Sequence, residues 1–158
     1  MEKINVDSME FTEKYHDEFK EVLSKLIAIP SVVSDAEGNM PFGAEVNRAL
    51  EQMLEVAEND GFDIKNVDNY GGHIDFPGEN QDDIVAVVGH LDVVPCGDLE
   101  NWNTNPFEMI EKDGKFYGRG VLDDKGPLLA AYYAVKALKD SGFKPSKTIR
   151  IILGCDEE

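Results

Sequence analysis

Residues 84–95 read IVAVVGHLDVVP, an apolar run of five residues followed by a glycine, a histidine and an aspartate. A short, continuous apolar run is typical of a strand that is buried on both faces in the middle of a sheet. In open α/β sheets, functional side chains lie beyond the carboxyl ends of the strands. This stretch therefore predicts a central strand at 84–88 and a candidate site at His90 and Asp92.

Helical periodicity flanks this strand on both sides. The first predicted helix ends before Pro30 and buries a stripe formed by Phe11, Tyr15, Phe19, Val22, Leu23, Leu26 and Ile27. A second helix is expected over about 42–59, and a third over 126–140 that is apolar nearly all round. Further strands are expected at 62–67, 73–76, 115–117 and 148–153. This order predicts an α/β layered domain with a mixed, largely parallel central sheet flanked by helices.

Composition excludes several classes of function. The chain has 158 residues, 42% of them hydrophobic, which suits one folded domain. Its 32 acidic and 15 basic residues give a net charge of -17, which argues against binding nucleic acid or an anionic membrane. The longest apolar run, 128–135, is far shorter than a membrane-spanning helix, and residues 1–11 lack the apolar segment of a secretory signal. Two cysteines without CxxC spacing predict free thiols and a cytoplasmic protein.

The HxD motif at 90–92 carries the first chemistry. His90 and Asp92 are two residues apart, so in an extended chain their side chains point to the same side. A ligating imidazole needs an acceptor on its other ring nitrogen, and a nearby carboxylate provides one. The motif therefore predicts His90 as a metal ligand and Asp92 as the residue that orients it. On its own, the motif is more typical of a surface histidine beside a turn aspartate.

A second acidic segment, GRGVLDDKGP at 118–127, leads into the third helix. The helix dipole favours a carboxylate at this end, where Asp123 could face a cation. An ordinary N-cap aspartate is the alternative. Lys125 is expected to tether the turn formed by Asp123 and Asp124.

The third acidic segment, Asp156-Glu157-Glu158, follows the predicted strand at 148–153. One glutamate could bind a metal while the other acts as general base on a metal-activated water. A solvated acidic tip is the alternative. Three such clusters, each after a strand or opening a core helix, favour a metal site together. Mixed histidine and carboxylate ligands suit Zn²⁺, with Mn²⁺ or Co²⁺ as substitutes.

Five strings then carry a family resemblance: GHIDFPG (72–78), GHLDVVP (89–95), WNTNPFE (102–108), GRGVLDDKGP (118–127) and GCDEE (154–158). The sequence resembles the M20 family of metallopeptidases, which hydrolyse peptides with two zinc ions. Within that family it is most similar to the PepV-like dipeptidases, themselves similar to carnosinases. The resemblance implies a zinc-exopeptidase-like fold and a short peptide substrate with a free N-terminus.

The resemblance also implies a role for each site residue. His90 would ligate one metal, Asp92 would orient the imidazole of His90, and Asp123 would bridge both metals. Glu157 would be the general base and Glu158 the next metal ligand. The peptide bond between Asp123 and Asp124 would be cis.

The departures from the family pattern set the remaining expectations. Members of the family have a further acidic ligand, a second histidine ligand and a lid domain, which have no counterpart in residues 1–158. Neither His16 nor His73 matches the second histidine ligand. Residues 1–158 are thus expected to be the N-terminal portion of the catalytic domain, C-terminally incomplete and inactive alone, with weak metal binding and possible self-association. The alternatives are an M20-type deacylase or desuccinylase, or a non-catalytic fragment that acts as a binding module.

Overall fold

The computed structural model describes the backbone of residues 8–158 and the side chains of residues 12–158. The helices are α1 (Ser8–Ile27), α2 (Ala44–Asn59) and α3 (Lys125–Asp140). The strands are β1 (Asp63–Asn66), β2 (Gly71–Phe76), β3 (Asn80–His90), β4 (Ile110–Lys112), β5 (Lys115–Tyr117) and β6 (Lys147–Gly154). Two predictions lie outside the described side chains: the burial of Phe11 in the stripe of the first helix, and the absence of a signal segment from residues 1–11. None of the described helices has the length and apolar character needed to cross a membrane.

The three predicted helices are confirmed. α1 buries Leu23, Leu26 and Ile27 and ends three residues before Pro30, which disfavours helical geometry in the residue that precedes it. α2 buries a stripe at helical spacing formed by Val46, Leu50, Met53, Leu54 and Ala57. α3 is buried on several sides, and its buried side chains include Leu128, Leu129, Tyr132 and Tyr133. These side chains form one hydrophobic core between the helices and the sheet.

The main sheet has the strand order β1-β2-β6-β3. β1 pairs antiparallel with β2, β2 pairs antiparallel with β6, and β6 pairs parallel with β3. The predicted mixed sheet is confirmed, although β3–β6 is the single parallel pairing among its described strands. β4 and β5 form a separate hairpin, of which the sequence predicted only the second strand.

The prediction that 84–88 form a central strand buried on both faces is wrong. β3 lies at the edge of the sheet, where Val85 is 55% and Val88 is 71% exposed. The apolar run correctly predicts an extended segment, but its pattern says nothing about how many neighbouring strands cover it. With β6 on one side only, the other edge of β3 is open among the described residues.

Both α2 and α3 pack on the same face of the sheet. Gly72 of β2 and Gly89 of β3 are each in register with Leu153 of β6. A Cβ atom on Gly72 would lie 3.2 Å from Leu50 of α2, and one on Gly89 would lie 2.8 Å from Leu128 of α3. This arrangement directs the start of α3 toward the carboxyl ends of β3 and β6, where the predicted site residues lie.

Candidate metal centre

The parallel pairing of β3 with β6 brings two of the predicted segments together. His90 is in register with Gly154, and the Leu91 amide donates to the Gly154 carbonyl at 2.9 Å. The HxD loop therefore runs beside the acidic segment that follows β6. Asp124, at the start of α3, joins them because its Oδ2 accepts a hydrogen bond from the His90 amide at 3.2 Å.

The side chains of His90, Asp123 and Glu158 converge. Each offers a ligand atom, and these atoms lie within 4.8 Å of one another. His90 Nε2 is 3.1 Å from Asp123 Oδ1 and 3.7 Å from Glu157 Oε2. His90 is buried, whereas the three carboxylates are exposed. The structure thus gathers the residues that the sequence predicted as metal ligands and general base, while their individual roles stay predictions.

Asp92 lies beneath this group and is fully buried. Its Oδ2 accepts hydrogen bonds from the backbone amides of Glu157 at 2.9 Å and Glu158 at 3.0 Å. Its Oδ1 is 3.5 Å from His90 Nδ1, which also lies 3.1 Å from the Asp92 carbonyl oxygen. Oxygen atoms of Asp92 thus face Nδ1, whereas Nε2 faces the carboxylates of Asp123 and Glu157. One aspartate therefore contacts both the imidazole and the backbone amides of the glutamate pair.

The electrostatics around His90 favour a positive charge. Burial lowers its pKa, but the charge of Asp92, the hydrogen bond to the Asp92 backbone and the Asp123 carboxylate outweigh burial and raise the pKa above 6.5. A cation seated on Nε2 would meet the same carboxylates that stabilise the proton. One imidazole nitrogen and two carboxylates form a donor set that suits Zn²⁺ and related divalent ions, so the residues fit the predicted metal.

The contact between Asp124 and the His90 amide was not predicted from the sequence. The Asp124 carboxylate reaches the His90 amide only because residue 89 is glycine: a Cβ there would lie 2.6 Å from Asp124 Oδ2. A glycine directly before the predicted ligand was the available signal. The peptide bond between Asp123 and Asp124 is cis, as the resemblance implied.

The other two histidines lie apart from the group. His16 is on the exposed side of α1 and contacts Asp17. His73 contacts Asp75 on β2, and that carboxylate also accepts two hydrogen bonds from Arg150. Both cysteines are free thiols, as predicted.

Fold and site together define a class: an α/β domain with a histidine–carboxylate group beyond the ends of two parallel strands, as in metal-dependent hydrolases. Residues 86–158 match the model of peptidase family M20/M25/M40. The resemblance noted from the sequence motifs is thereby confirmed.

The chain is similar to named dipeptidases over nearly its whole length. It is 45% identical over 136 residues to the putative dipeptidase YtjP of Bacillus subtilis, covering 85% of this chain and 28% of that protein. It is 40% identical over 158 residues to the Beta-Ala-Xaa dipeptidase of Lactobacillus delbrueckii subsp. lactis, covering 98% of this chain and 33% of that protein. The chain therefore spans about a third of the length of these curated relatives.

Solved structures show the same relationship. Human carnosine dipeptidase 1 aligns with a TM-score of 0.77 and 27% identity, over 92% of this chain and 33% of the other. The di-peptidase Dug1p of Saccharomyces cerevisiae aligns with a TM-score of 0.75 and 28% identity, over the same shares. The α/β fold described above is thus the fold of part of the M20 peptidases.

Proposed function

We propose that this chain supplies part of the active site of a metal-dependent dipeptidase. The observation that carries the proposal is the convergence of ligand atoms from His90, Asp123 and Glu158 within 4.8 Å of one another, with a Glu157 carboxylate oxygen 3.7 Å from the imidazole. Similarity to proteins named dipeptidases supports the reaction class. We further propose that residues 1–158 are the N-terminal portion of a catalytic domain, in keeping with the share of the relatives that they span.

The convergence of these side chains and the family resemblance support the following ligand roles. His90 would bind a divalent cation through Nε2, and Asp123 and Glu158 would bind through carboxylate oxygens. The family resemblance supports Asp123 as the ligand that would bridge two ions, and its exposed carboxylate lies 3.1 Å from His90 Nε2. We propose Zn²⁺, two ions per complete site, with Mn²⁺ or Co²⁺ as substitutes. Such ions polarise a peptide carbonyl and lower the pKa of a coordinated water.

Glu157 is the proposed general base. Its backbone is fixed by the hydrogen bond to Asp92, while its side chain remains 65% exposed and free to face a substrate. It would accept a proton from the attacking water and return it to the leaving amine. Asp92 would hold the imidazole in the correct tautomer throughout, through the acceptors that face Nδ1.

The proposed substrate is a dipeptide or short peptide with a free N-terminus, including β-alanyl dipeptides. The name of the Lactobacillus relative supports this substrate class. We propose a cytoplasmic location, because Cys96 and Cys155 are unpaired.

Zinc titration of the purified 158-residue chain tests the site directly. We expect isothermal titration calorimetry to detect zinc binding that is lost in His90→Ala and kept in His16→Ala, a matched histidine change remote from the group. Equal binding by wild type and His90→Ala would contradict the proposal.

Activity provides the second test. In a protein that carries the complete proposed catalytic domain, Glu157→Gln should abolish hydrolysis of a β-alanyl dipeptide while zinc binding is kept. The 158-residue chain alone should not turn over dipeptides at an enzymatic rate. If it does so with added Zn²⁺, the site is complete within these residues and the domain proposal is wrong.

A further inference from the structure

Ser31, just beyond the end of α1, contacts the HxD loop on both sides of Asp92. Its hydroxyl donates to the Leu91 carbonyl at 2.6 Å, and its own carbonyl accepts from the Val93 amide at 3.0 Å. Ser31 and Asp92 are both fully buried. Asp92 is therefore held between two anchored neighbours, and the anchor comes from a segment distant in the sequence.

Lys125 connects the other half of the site to the same segment. It begins α3, two residues after Asp123, and is fully buried. Its Nζ donates to the carbonyls of Leu26 and Ile29 at 2.8 Å each. The last carbonyls of a helix lack partners within the helix and carry partial negative charge, so the end of α1 is a favourable place for this donor.

Lys125 Nζ can donate to both carbonyls whether or not it carries a charge, because a neutral amine still has two N–H groups. The loop before α3 is also shaped around this side chain: a Cβ on Gly120 would lie 3.1 Å from Lys125 Cδ, and Gly120 has a φ of 87°.

Lys136, on the same helix, is a second buried lysine and serves as a comparison, because its ion pairs join helices rather than site loops. Its Nζ contacts the carboxylates of Glu18 and Asp60, which join α3 to the two other helices. Lys125 instead has backbone carbonyls as its hydrogen-bond partners, and an apolar side chain would fill the same space without burying an amine. The difference points to a positional role for Lys125.

We propose that Lys125 and Ser31 are positioning residues that fix both ligand-bearing loops of the candidate site to one segment, residues 26–31. Ser31 holds the loop with His90 and Asp92, and Lys125 holds the turn with Asp123. This inference rests on the proposed function, since it assigns the segment a role in spacing the metal ligands.

The test compares Lys125→Met and Ser31→Ala with two matched controls. Lys136→Met removes another buried lysine from α3, and Thr148→Val removes another buried hydroxyl, one that accepts from the Gly78 amide away from the site. Zinc affinity is measured by calorimetry at a temperature where circular dichroism shows each variant folded. Hydrogen exchange of the His90 and Val93 amides is measured on the metal-free chain.

We expect Lys125→Met and Ser31→Ala each to weaken zinc binding about tenfold or more, the usual effect of losing a group that orients ligands. Exchange should accelerate at His90 in the lysine variant and at Val93 in the serine variant. The controls should lower the melting temperature but leave zinc affinity and both amides unchanged. Unchanged affinity in the two site variants, or equal losses in the controls, overturns the inference.

The two proposals fail in different ways. If zinc binds wild type and His90→Ala equally, the proposed function is wrong, and the exchange rates of the metal-free chain alone decide whether Lys125 and Ser31 position the loops. Ser31→Ala removes a single oxygen, so it remains a test if Lys125→Met does not fold.

Discussion

Replacing Asp92 by asparagine separates metal binding from folding stability. Asp92 is fully buried, with Oδ2 accepting from the Glu157 and Glu158 amides and Oδ1 3.5 Å from His90 Nδ1. An asparagine keeps one oxygen that can accept both amides. Its NH₂ group then faces His90 Nδ1, where a donor meets the ring N–H. The substitution therefore disfavours the tautomer that leaves Nε2 free for a metal.

The expected magnitudes differ for the two properties. Loss of an orienting carboxylate weakens metal binding about 10- to 100-fold, or about 1.4–2.7 kcal/mol. For folding, two charge-assisted hydrogen bonds become neutral ones, at a cost of about 1 kcal/mol each. Removing a buried charge also removes a desolvation penalty of several kcal/mol, which offsets that loss. The melting temperature should consequently stay within about 5 °C of wild type.

The assay is zinc calorimetry paired with thermal unfolding followed by circular dichroism. Asp113→Asn is the matched control, because it makes the same charge change at an exposed position in the β4–β5 hairpin turn. Asp92→Asn should bind zinc at least about tenfold more weakly than this control. Zinc binding within twofold of the control would refute the orienting role of Asp92.

Three further changes test other parts of the structure. Gly126→Ala should destabilise the chain by about 3 kcal/mol or more in urea unfolding, because its Cβ would lie 2.0 Å from the Val121 carbonyl oxygen; a smaller loss would mean that this turn can relax. Burial favours the neutral form of Asp75, but the hydrogen bonds from Arg150 and the charge of His73 outweigh burial and lower its pKa. Asp75 thus contributes stability above its unfolded pKa of about 3.9, and this contribution is lost as the pH falls through the lower folded pKa. Asp75→Asn should therefore lower the free energy of unfolding by about 1–3 kcal/mol at pH 7 and by less below pH 4. Urea unfolding at each pH measures this difference. We also propose that copies of this chain self-associate through the open edge of β3, in which case Val88→Lys should shift sedimentation velocity profiles toward monomer, and an unchanged profile would exclude this edge as the contact.

The local patterns of the sequence predicted the helices and the identity of the candidate ligands. The stripe on α2 and the apolar character of α3 follow from 3.6-residue periodicity, which depends only on neighbours along the chain. The ligands were predicted because His90, Asp123 and Glu158 each follow a strand or precede a core helix. The cis bond and the individual roles came from the family resemblance rather than from spacing.

Tertiary structure alone decided how those segments meet. The apolar run at 84–88 could not show whether β3 has one neighbouring strand or two, because burial depends on residues far away in the chain. The contacts of Asp92 with the Glu157 and Glu158 amides, and of Lys125 with the end of α1, join positions 65 to 99 residues apart. No local pattern encodes such contacts, since they form only when the packed helices and the sheet fix both partners in space.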